Sequence, residues 1–451
     1  MLKTKKRSFV GGAALLGIGA VLSKIIGAIY RVPLTNLLGF DGLGLYQMVF
    51  PLYTLLLDFS GAGVPSAISK IISSYPELER KEKAKEYLLG SLRLLFFLGL
   101  MASGLMFFLA DKLSFLQGDS RAALAYKSLA PAVLLVSVIS CFRGYYQGLM
   151  NMAPTAVSQV IEQVIKLVVG ILLIKALLPS VENAAAGATL AITFSELIAT
   201  AYLSVLYRKS ERKLPKLNRA FPHAKKIIKT SIPVTLTGIL LPFSHVIDSF
   251  MIINILSTYR QDATALFGVL SGAVATLINL PVSVCYGIAT AIIPAVSSAD
   301  SEKAMKTNQK KAIFITLLIS IPCAIFYLFF SDFTVNILFG KMTDSQKLLT
   351  INILKVSAVE IVFLALLQTL NGILIGRGKL YYPVLSLGIG VAVKTVLNFF
   401  LLKNEQLNIF ASAIALIACY LVVCLVNLTM VFSLKVKNGD KECKNWRKVD
   451  A

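Results

Sequence analysis

The sequence predicts an all-α integral membrane protein with about twelve transmembrane helices in two six-helix halves. Of the 451 residues, 56% are hydrophobic and only 15% are charged, and the mean hydropathy is +0.75. Ordinary soluble domains carry about 25% charged residues. Long stretches such as 312–331 and 409–434 contain no charged residue, and about 20 apolar helical residues suffice to cross the bilayer core. Such stretches are too numerous for the core of a soluble protein.

Apolar segments separated by short polar or basic loops place the predicted spans along the chain. The spans are 9–30, 43–74, 88–110, 126–149, 155–178, 185–207, 228–256, 263–297, 311–331, 350–376, 381–402 and 409–434. A basic linker, 208–227, divides them into an N-terminal six-helix lobe, 1–207, and a C-terminal six-helix lobe, 228–434. A basic tail, 435–451, follows the last span.

The basic residues indicate how the chain is oriented in the membrane. Taken together, the N-terminus, every second loop and the tail hold far more Lys and Arg than the opposite loops, with nine in 208–229 and six in 435–451. Because cytoplasmic loops are enriched in Lys and Arg, both termini are predicted to be cytoplasmic. The same distribution accounts for the net charge of +22, so we expect no nucleic acid as a partner.

The two predicted lobes resemble each other at an offset of 228 residues. The matched pairs are Gly144 with Gly372, Gly148 with Gly376, and Lys166 with Lys394. The spans 43–74 and 263–297 are too long for one straight crossing and contain several Pro and Gly residues. Interrupted helices in corresponding positions of two halves indicate a transport site at the interface of the repeats. Both halves start in the cytoplasm, so the repeats are predicted to be parallel.

Ionisable side chains at membrane depth usually face a partner or a water-filled cavity, because burying a charge in lipid costs free energy. The candidate substrate-binding cations are Lys24, Arg31, Lys70, Lys166 and Lys394. The candidate coupling or gating acids are Asp58, Glu162 and Asp248. Two further embedded acids are Glu196 and Glu360. The embedded cations suit an anionic substrate, such as a diphosphate head group carried on a lipid.

Some of these charges also have structural interpretations. Glu162 and Lys166 are four residues apart, so they can neutralise each other on one helix face. Lys70 and Arg31 lie near span ends, from which long side chains can reach the membrane interface.

For three other embedded charges, the sequence offers either no oppositely charged residue in the same span or two candidate partners. Lys24 and Lys394 have no acidic residue in their own spans, which favours a cavity-facing position for both. Asp248 is expected opposite Arg31, on the first helix of the other lobe, where the pair would close the outer side of the cavity. The alternative partner for Asp248 is His245 on the same helix.

The sequence contains no enzyme motif. Walker A, HExxH, GxSxG and aspartate-rich prenyl-diphosphate motifs are all absent, so we predict no catalytic residues and no ATP. There are two histidines, and the six cysteines form no CxxC, so we predict no metal and no cofactor. Energy for transport would then come from the gradient of a coupling cation, Na⁺ or H⁺, from the membrane potential or from the substrate's own gradient.

Several motifs resemble the stage V sporulation protein B family of polysaccharide-export flippases. The matching segments are GLGLYQMVFP at 42–51, GAGVPSAISK at 61–70, RGYYQG at 143–148, PTA at 154–156, QVIEQ at 159–163, NG at 371–372 and GRGK at 376–379, followed by Lys394 and Asn398. The resemblance extends over nearly the whole chain. The family belongs to the multidrug/oligosaccharidyl-lipid/polysaccharide flippase superfamily and includes relatives of lipid II flippases.

This resemblance implies a V-shaped bundle of two six-helix lobes around a central cavity that opens alternately to each side of the membrane. It also implies a substrate: a polyprenyl-diphosphate-linked saccharide, such as a peptidoglycan or surface polysaccharide precursor, moved from the inner to the outer leaflet. The better-known lipid II flippases usually have fourteen spans. They also carry several arginines in the first two helices, where this chain has Lys24, Tyr30 and Asp58.

Two other functions are compatible with a multi-pass membrane protein. A multidrug cation antiporter of the same superfamily needs acidic and aromatic residues in its cavity, whereas this chain has a mixed set that leans towards cations. A non-transporting membrane scaffold for cell-wall synthesis needs neither interrupted helices nor embedded charges. We therefore expect a flippase that contacts membrane lipids and an anionic lipid-linked saccharide.

Overall fold

A computed structural model describes residues 9–59, 63–210, 223–297, 301–379 and 381–433, and every regular element in these ranges is helical. The α-helices are α1 (Phe9–Leu57), α2 (Val64–Ser73), α3 (Glu77–Phe108), α4 (Ala110–Gln117), α5 (Ala123–Gly148), α6 (Ala153–Leu177), α7 (Val181–Ser210), α8 (Ala224–Leu256), α9 (Ala263–Gly268), α10 (Ala275–Ser297), α11 (Glu302–Leu338), α12 (Asp344–Ser357), α13 (Glu360–Gly376), α14 (Tyr381–Leu401) and α15 (Phe410–Ser433). The predicted all-α class is confirmed. Most of the linker 208–227 and the tail 435–451 lie outside the described residues.

The lengths and compositions of these helices show a multi-pass membrane protein. Within the described ranges, nine helices are long and apolar enough to cross a membrane, and α12 and α13, bent by 45°, can form a tenth crossing. α1 is one of these nine helices, although it covers parts of two predicted spans. α6, which carries Glu162 and Lys166, is not one of the nine. The predicted twelve spans require counting the two parts of α1 separately and including α6. That number stays a prediction.

α1 is a long helix with a sharp bend at Gly39. This residue has φ 64° and ψ −173°, a conformation that residues with a Cβ rarely adopt. The first predicted span, 9–30, therefore continues without a loop into the second, 43–74. The second span is itself broken, because α1 ends at Leu57 and α2 begins at Val64. The interruption predicted from its Pro and Gly content is confirmed.

The predicted span 263–297 is also interrupted. α9 ends at Gly268, a π-helical segment covers Val269–Val274, and α10 begins at Ala275. A π-helical turn inside an α-helix alters the hydrogen-bond ladder and is frequently found at functional sites. Both spans whose Pro and Gly content predicts an interruption therefore depart from a regular α-helix: in 43–74 one helix ends and another begins, and 263–297 continues through a π-helical segment.

Packing divides the chain into two compact units, Met1–Gly272 and Ala273–Ala451. In the first unit, α5 packs on α3 and α7, and α6 packs on α1 and α7. In the second unit, α13 packs on α10, α11 and α15, and α14 packs on α15. The predicted linker 208–227 falls within the residues of the first unit, so the two six-helix lobes stay a prediction.

Glycines at matching positions of the predicted repeat permit the same helix contact in both units. Gly144 and Gly148 on α5 face α2, and a methyl group on either would collide with α2 atoms. Gly372 and Gly376 on α13 face α10, with the same consequence. In each unit, a glycine pair four residues apart therefore lets two helices approach each other closely. This packing supports the internal repeat.

Candidate functional site

Five ionisable side chains of the first unit gather between α1, α5, α6 and α7. Lys166 interacts electrostatically with Arg31, Glu162 and Glu196, and Arg143 interacts with both acids. We call these five residues the charge cluster. The cluster unites three residues that the sequence predicts as site residues, Arg31, Glu162 and Lys166, with two that it does not.

An ion pair between Arg143 on α5 and Glu162 on α6 holds the cluster together. Arg143 Nη2 donates a hydrogen bond to Glu162 Oε1. Arg143 Nε and Nη2 also donate to Ser158 Oγ, at 3.2 and 3.1 Å. Ser158 lies one helical turn before Glu162, so α6 presents both acceptors to α5. The cation in direct hydrogen-bonded contact with Glu162 is therefore Arg143, whereas Lys166, the partner that the sequence spacing offers, interacts with Glu162 only electrostatically.

Glu196 on α7 places a second acid beside Glu162. The two carboxyl groups interact electrostatically, and Arg143 interacts with both of them. We call Glu162 and Glu196 the acid pair. The side chain of Glu162 is 11% exposed, so little water can replace these partners.

Lys166 lies one turn beyond Glu162 on α6 and contacts α1. Its Nζ is 5.8 Å from the centroid of the Tyr30 ring, which is within the range of a cation–π interaction. Gly170, one turn further along, leaves room for this ring, because a Cβ there would lie 2.5 Å from Tyr30 Oη. Tyr30 precedes Arg31 in sequence. The close contact of α1 with α6 therefore brings a second cation towards Lys166.

The charge cluster has an excess of positive charge. Its three cations, Arg31, Arg143 and Lys166, outnumber its two acids. Electrostatic attraction is stronger in a protein interior than in water, because the local dielectric constant is lower. Arginine also offers paired N–H donors that match the oxygens of a phosphate group. The cluster is therefore suited to binding a phosphate-like anion.

The other predicted site residues of the first unit lie apart from this arrangement. Lys24 and Lys70 have exposed side chains, as does Arg31 at the margin of the cluster. Asp58 is half-buried at the break that follows α1. Its Oδ2 lies 3.6 Å from the position that a Cβ on Gly238 of α8 would occupy, so Asp58 faces α8.

Asp248 is buried on α8. His245, on the same helix, has its Nδ1 3.9 Å from Asp248 Oδ2. The alternative partner from the sequence analysis is therefore adjacent to Asp248. The pairing of Asp248 with Arg31 stays a prediction.

Lys394 on α14 is a buried cation of the second unit. Its side chain is only 2% exposed, and Glu360 on α13 is 8% exposed. The two residues interact electrostatically. Lys394 has no acidic residue in its own span, and its acidic partner is Glu360 on α13.

The sequence identifies Glu196 only as an embedded acid, and its patterns do not single out Arg143 as a site residue. Arg143 lies within the predicted span 126–149 and opens the motif RGYYQG. An arginine inside a span is itself a signal for a functional charge. Its pairing with Glu162 depends on how α5 packs against α6, which the sequence does not reveal.

The apolar helices, the two interrupted spans and the embedded charge cluster are the features of a multi-pass membrane transporter. The chain belongs to the polysaccharide biosynthesis protein family, whose model matches residues 9–300. Residues 233–400 also match the MatE model.

Individual relatives agree with this assignment. Stage V sporulation protein B of Bacillus subtilis (strain 168) is 26% identical, with 96% of this chain and 86% of that protein covered. Lipid II flippase MurJ of the same organism is 27% identical, with 91% and 80% covered. An inward-facing multidrug resistance MATE family transporter of the MOP superfamily has the same fold, with a TM-score of 0.78, 16% identity and coverage of 95% and 96%. The chain is thus a multi-pass membrane protein of the polysaccharide biosynthesis protein family that shares its fold with this transporter.

Proposed function

We propose that the protein flips a polyprenyl-diphosphate-linked saccharide, such as a peptidoglycan or surface polysaccharide precursor, from the inner to the outer leaflet by alternating access. The observation that carries this proposal is the charge cluster, in which three cations lie close to only two acids. A diphosphate head group is anionic and its polyprenyl chain is apolar, so the substrate matches a cationic site within apolar helices. A relative named as a lipid II flippase supports the same substrate class.

In this proposal, the substrate diphosphate competes with Glu162 for Arg143. A diphosphate offers more acceptor oxygens than a carboxylate, and arginine binds both in a bidentate manner. Arg31 and Lys166, which interact electrostatically with each other, add positive charge beside the same site. Lys24, Lys70 and Lys394 are proposed to contact the head group at other positions along its path, and membrane lipids surround the apolar helix faces.

The acid pair of the charge cluster gives a means of coupling transport to a proton gradient. A carboxylate that loses its buried cation is costly, and uptake of a proton removes that cost. Displacement of Glu162 from Arg143 by the substrate therefore favours protonation of the acid pair. We propose H⁺ in preference to Na⁺ as the coupling cation. Asp58, and Asp248 together with Arg31, are proposed as gating groups.

The orientation follows from the basic loops. We propose that both termini are cytoplasmic in the cell membrane, because the linker 208–227 and the tail 435–451 are rich in Lys and Arg. The charge cluster would then receive its substrate from the inner leaflet, where lipid-linked precursors are assembled.

A multidrug cation antiporter is the second candidate function. The MatE match at 233–400 and the buried acids Glu162 and Glu360 favour it, since acids can hold a cationic drug. The excess of cations in the charge cluster argues against it, because like charges repel. The two functions differ in the charge of the transported molecule and can be separated by experiment.

Depletion of the protein in its host is expected to cause a polyprenyl-diphosphate-linked saccharide to accumulate in extracted lipids, detected by mass spectrometry. Re-expression of the wild-type chain or of Lys306→Leu, a change at an exposed residue, should reverse the accumulation, whereas Arg143→Leu should not. Ethidium retention is measured in the same cells. Increased ethidium retention without lipid accumulation would instead support the antiporter. If neither lipid accumulation nor ethidium retention changes, the remaining function is a non-transporting scaffold.

A further inference from the structure

A buried glutamine joins three helices at one end of the first unit. Gln117, the last residue of α4, is 0% exposed. Its Nε2 donates to the backbone oxygen of Met48 on α1 at 2.8 Å and to Ser249 Oγ on α8 at 2.9 Å. Its Oε1 accepts from Tyr126 Oη on α5 at 2.7 Å. Both amide hydrogens and the carbonyl oxygen are therefore used, each by a different helix.

The neighbouring residues extend these contacts to a fourth helix. Asp119 Oδ2 accepts a hydrogen bond from Thr264 Oγ1 on α9 at 2.7 Å. Arg121 donates to Asp119 at 2.7 Å and, through both terminal nitrogens, to Asp41 on α1 at 2.6 and 2.8 Å. Burial raises the pKa of Asp119, but hydrogen bonds from Arg121 and Thr264 outweigh it, so the pKa lies below its ordinary value. Asp119 is ionised at neutral pH.

The backbone of the same segment fits closely against α8. Gly118 has φ 106°, and a Cβ at this position would lie 2.9 Å from Ile253 Cγ2. The backbone oxygen of Leu116 accepts a hydrogen bond from Asn254 Nδ2 at 2.9 Å. We call residues 116–121 the corner. In the predicted lobe division, α8 and α9 lie in one lobe, whereas α1 and the corner lie in the other.

Close helix packing lies next to the corner. A methyl group on Gly44 of α1 would collide with Thr264, and one on Gly268 of α9 would collide with the α1 backbone. Leu43 is 1% exposed and packs where a Cβ on Gly272 would be. The predicted topology places this end of the helices on the outer side of the membrane. With the predicted lobe division and the proposed alternating access, opening towards that side separates α1 from α9.

We infer that the corner is a latch: Gln117 and Asp119 hold α1, α8 and α9 together and thereby set how often the outer end opens. Gln117 bonds α1 directly to α8, and Asp119 bonds α9 to α1 through Arg121. The bonds of Gln117 are buried and that of Thr264 to Asp119 is partly buried, whereas those of Arg121 are exposed. All of them must be lost before α8 and α9 can leave α1. This role goes beyond substrate choice and does not rest on the identity of the transported molecule.

The latch is tested by the accessibility of Leu43. In a full-length chain whose six cysteines are replaced, Leu43→Cys is labelled in whole cells with a membrane-impermeant maleimide. Gln117→Leu should increase the labelling rate about tenfold, because loss of one or two net hydrogen bonds shifts an opening equilibrium by about that factor. Ser249→Ala and Asp119→Asn should produce smaller increases in the same direction. Ser249→Ala removes only a hydroxyl group, so it tests the latch if Gln117→Leu fails to reach the membrane.

Asp262→Asn is the matched control. This change weakens the exposed ion pair between Arg260 and Asp262, which lies at the same end of the helices. The two residues are only two positions apart, so their pair does not join separate helices. Leu43→Cys combined with Asp262→Asn should be labelled at the same rate as Leu43→Cys alone. Asp344→Cys and Lys81→Cys, both exposed, mark the two sides, and only the first should react. If Lys81→Cys reacts and Asp344→Cys does not, this end of the helices faces the cytoplasm, and labelling of Leu43→Cys with a membrane-permeant maleimide measures the same opening. Equal rates for Gln117→Leu, Ser249→Ala and Asp262→Asn would overturn the latch.

Discussion

Replacing Arg143 with leucine is expected to destabilise the protein by about 3 kcal/mol and to abolish transport. The destabilisation arises because removal of one member of a buried ion pair leaves the other charge without compensation, a loss of about 3–5 kcal/mol. The side chains of Arg143 and Glu162 are 18% and 11% exposed, so water cannot replace the missing partner fully. Thermal unfolding of the purified protein in detergent measures the first effect, and flipping in vesicles measures the second.

The double variant Arg143→Leu, Glu162→Leu separates stability from function. Removing both charges should restore most of the lost stability, since apolar replacement of a buried ion pair is often neutral. It should not restore transport, because the proposed phosphate-binding cation is still missing. Lys306→Leu breaks an exposed pair with Glu302 and should change neither property. Transport at the wild-type rate by the double variant would contradict the proposed role of Arg143.

Replacing Lys394 with methionine is the change with the second-largest expected effect. Lys394 is 2% exposed and interacts with Glu360, which is 8% exposed. Methionine has a similar length but no charge, so Glu360 would lose a compensating cation in the interior of the second unit. We expect a loss of about 3 kcal/mol in the free energy of unfolding together with reduced transport. The unfolding temperature in detergent and the flipping rate give the two readouts.

A matched variant at Lys24 distinguishes a buried cation from an exposed one. Lys24→Met changes the same chemical group at a position where the side chain is exposed, so the unfolding temperature should not change. Adding Glu360→Met to Lys394→Met should recover stability, because no buried charge then lacks a partner. If Lys394→Met unfolds at the wild-type temperature, its interaction with Glu360 contributes nothing to folding.

Much of the helical organisation could be predicted from the sequence, because lipid requires long apolar helices. The predicted span 126–149 corresponds closely to α5, Ala123–Gly148. The continuity of α1 through 31–42 could not be predicted in the same way. This segment contains Pro33 and Gly39, which are typical of a loop, yet Pro33 lies inside the helix and Gly39 adopts a positive φ. Such residues bend a membrane helix without ending it.

The site was less accessible to prediction, since its contacts join helices far apart in sequence. Spacing alone pairs Glu162 with Lys166, but the packing of α5 on α6 pairs it with Arg143. The same limit applies to Lys394, whose acid lies on α13. A sequence identifies charges that lipid cannot accommodate, whereas the identity of their partners depends on helix rotation and register.

The most direct test of the account is flipping of a defined lipid by the purified protein. Vesicles contain a fluorescent polyprenyl-diphosphate-linked disaccharide in both leaflets, and the membrane-impermeant reductant dithionite quenches only the outer leaflet. With wild-type protein, lipid from the inner leaflet should become accessible and its fluorescence should be lost, faster under an imposed proton gradient. Vesicles with Arg143→Leu should keep that fluorescence. Equal protection in wild-type, Arg143→Leu and protein-free vesicles would contradict the proposal that this protein is a lipid-linked saccharide flippase.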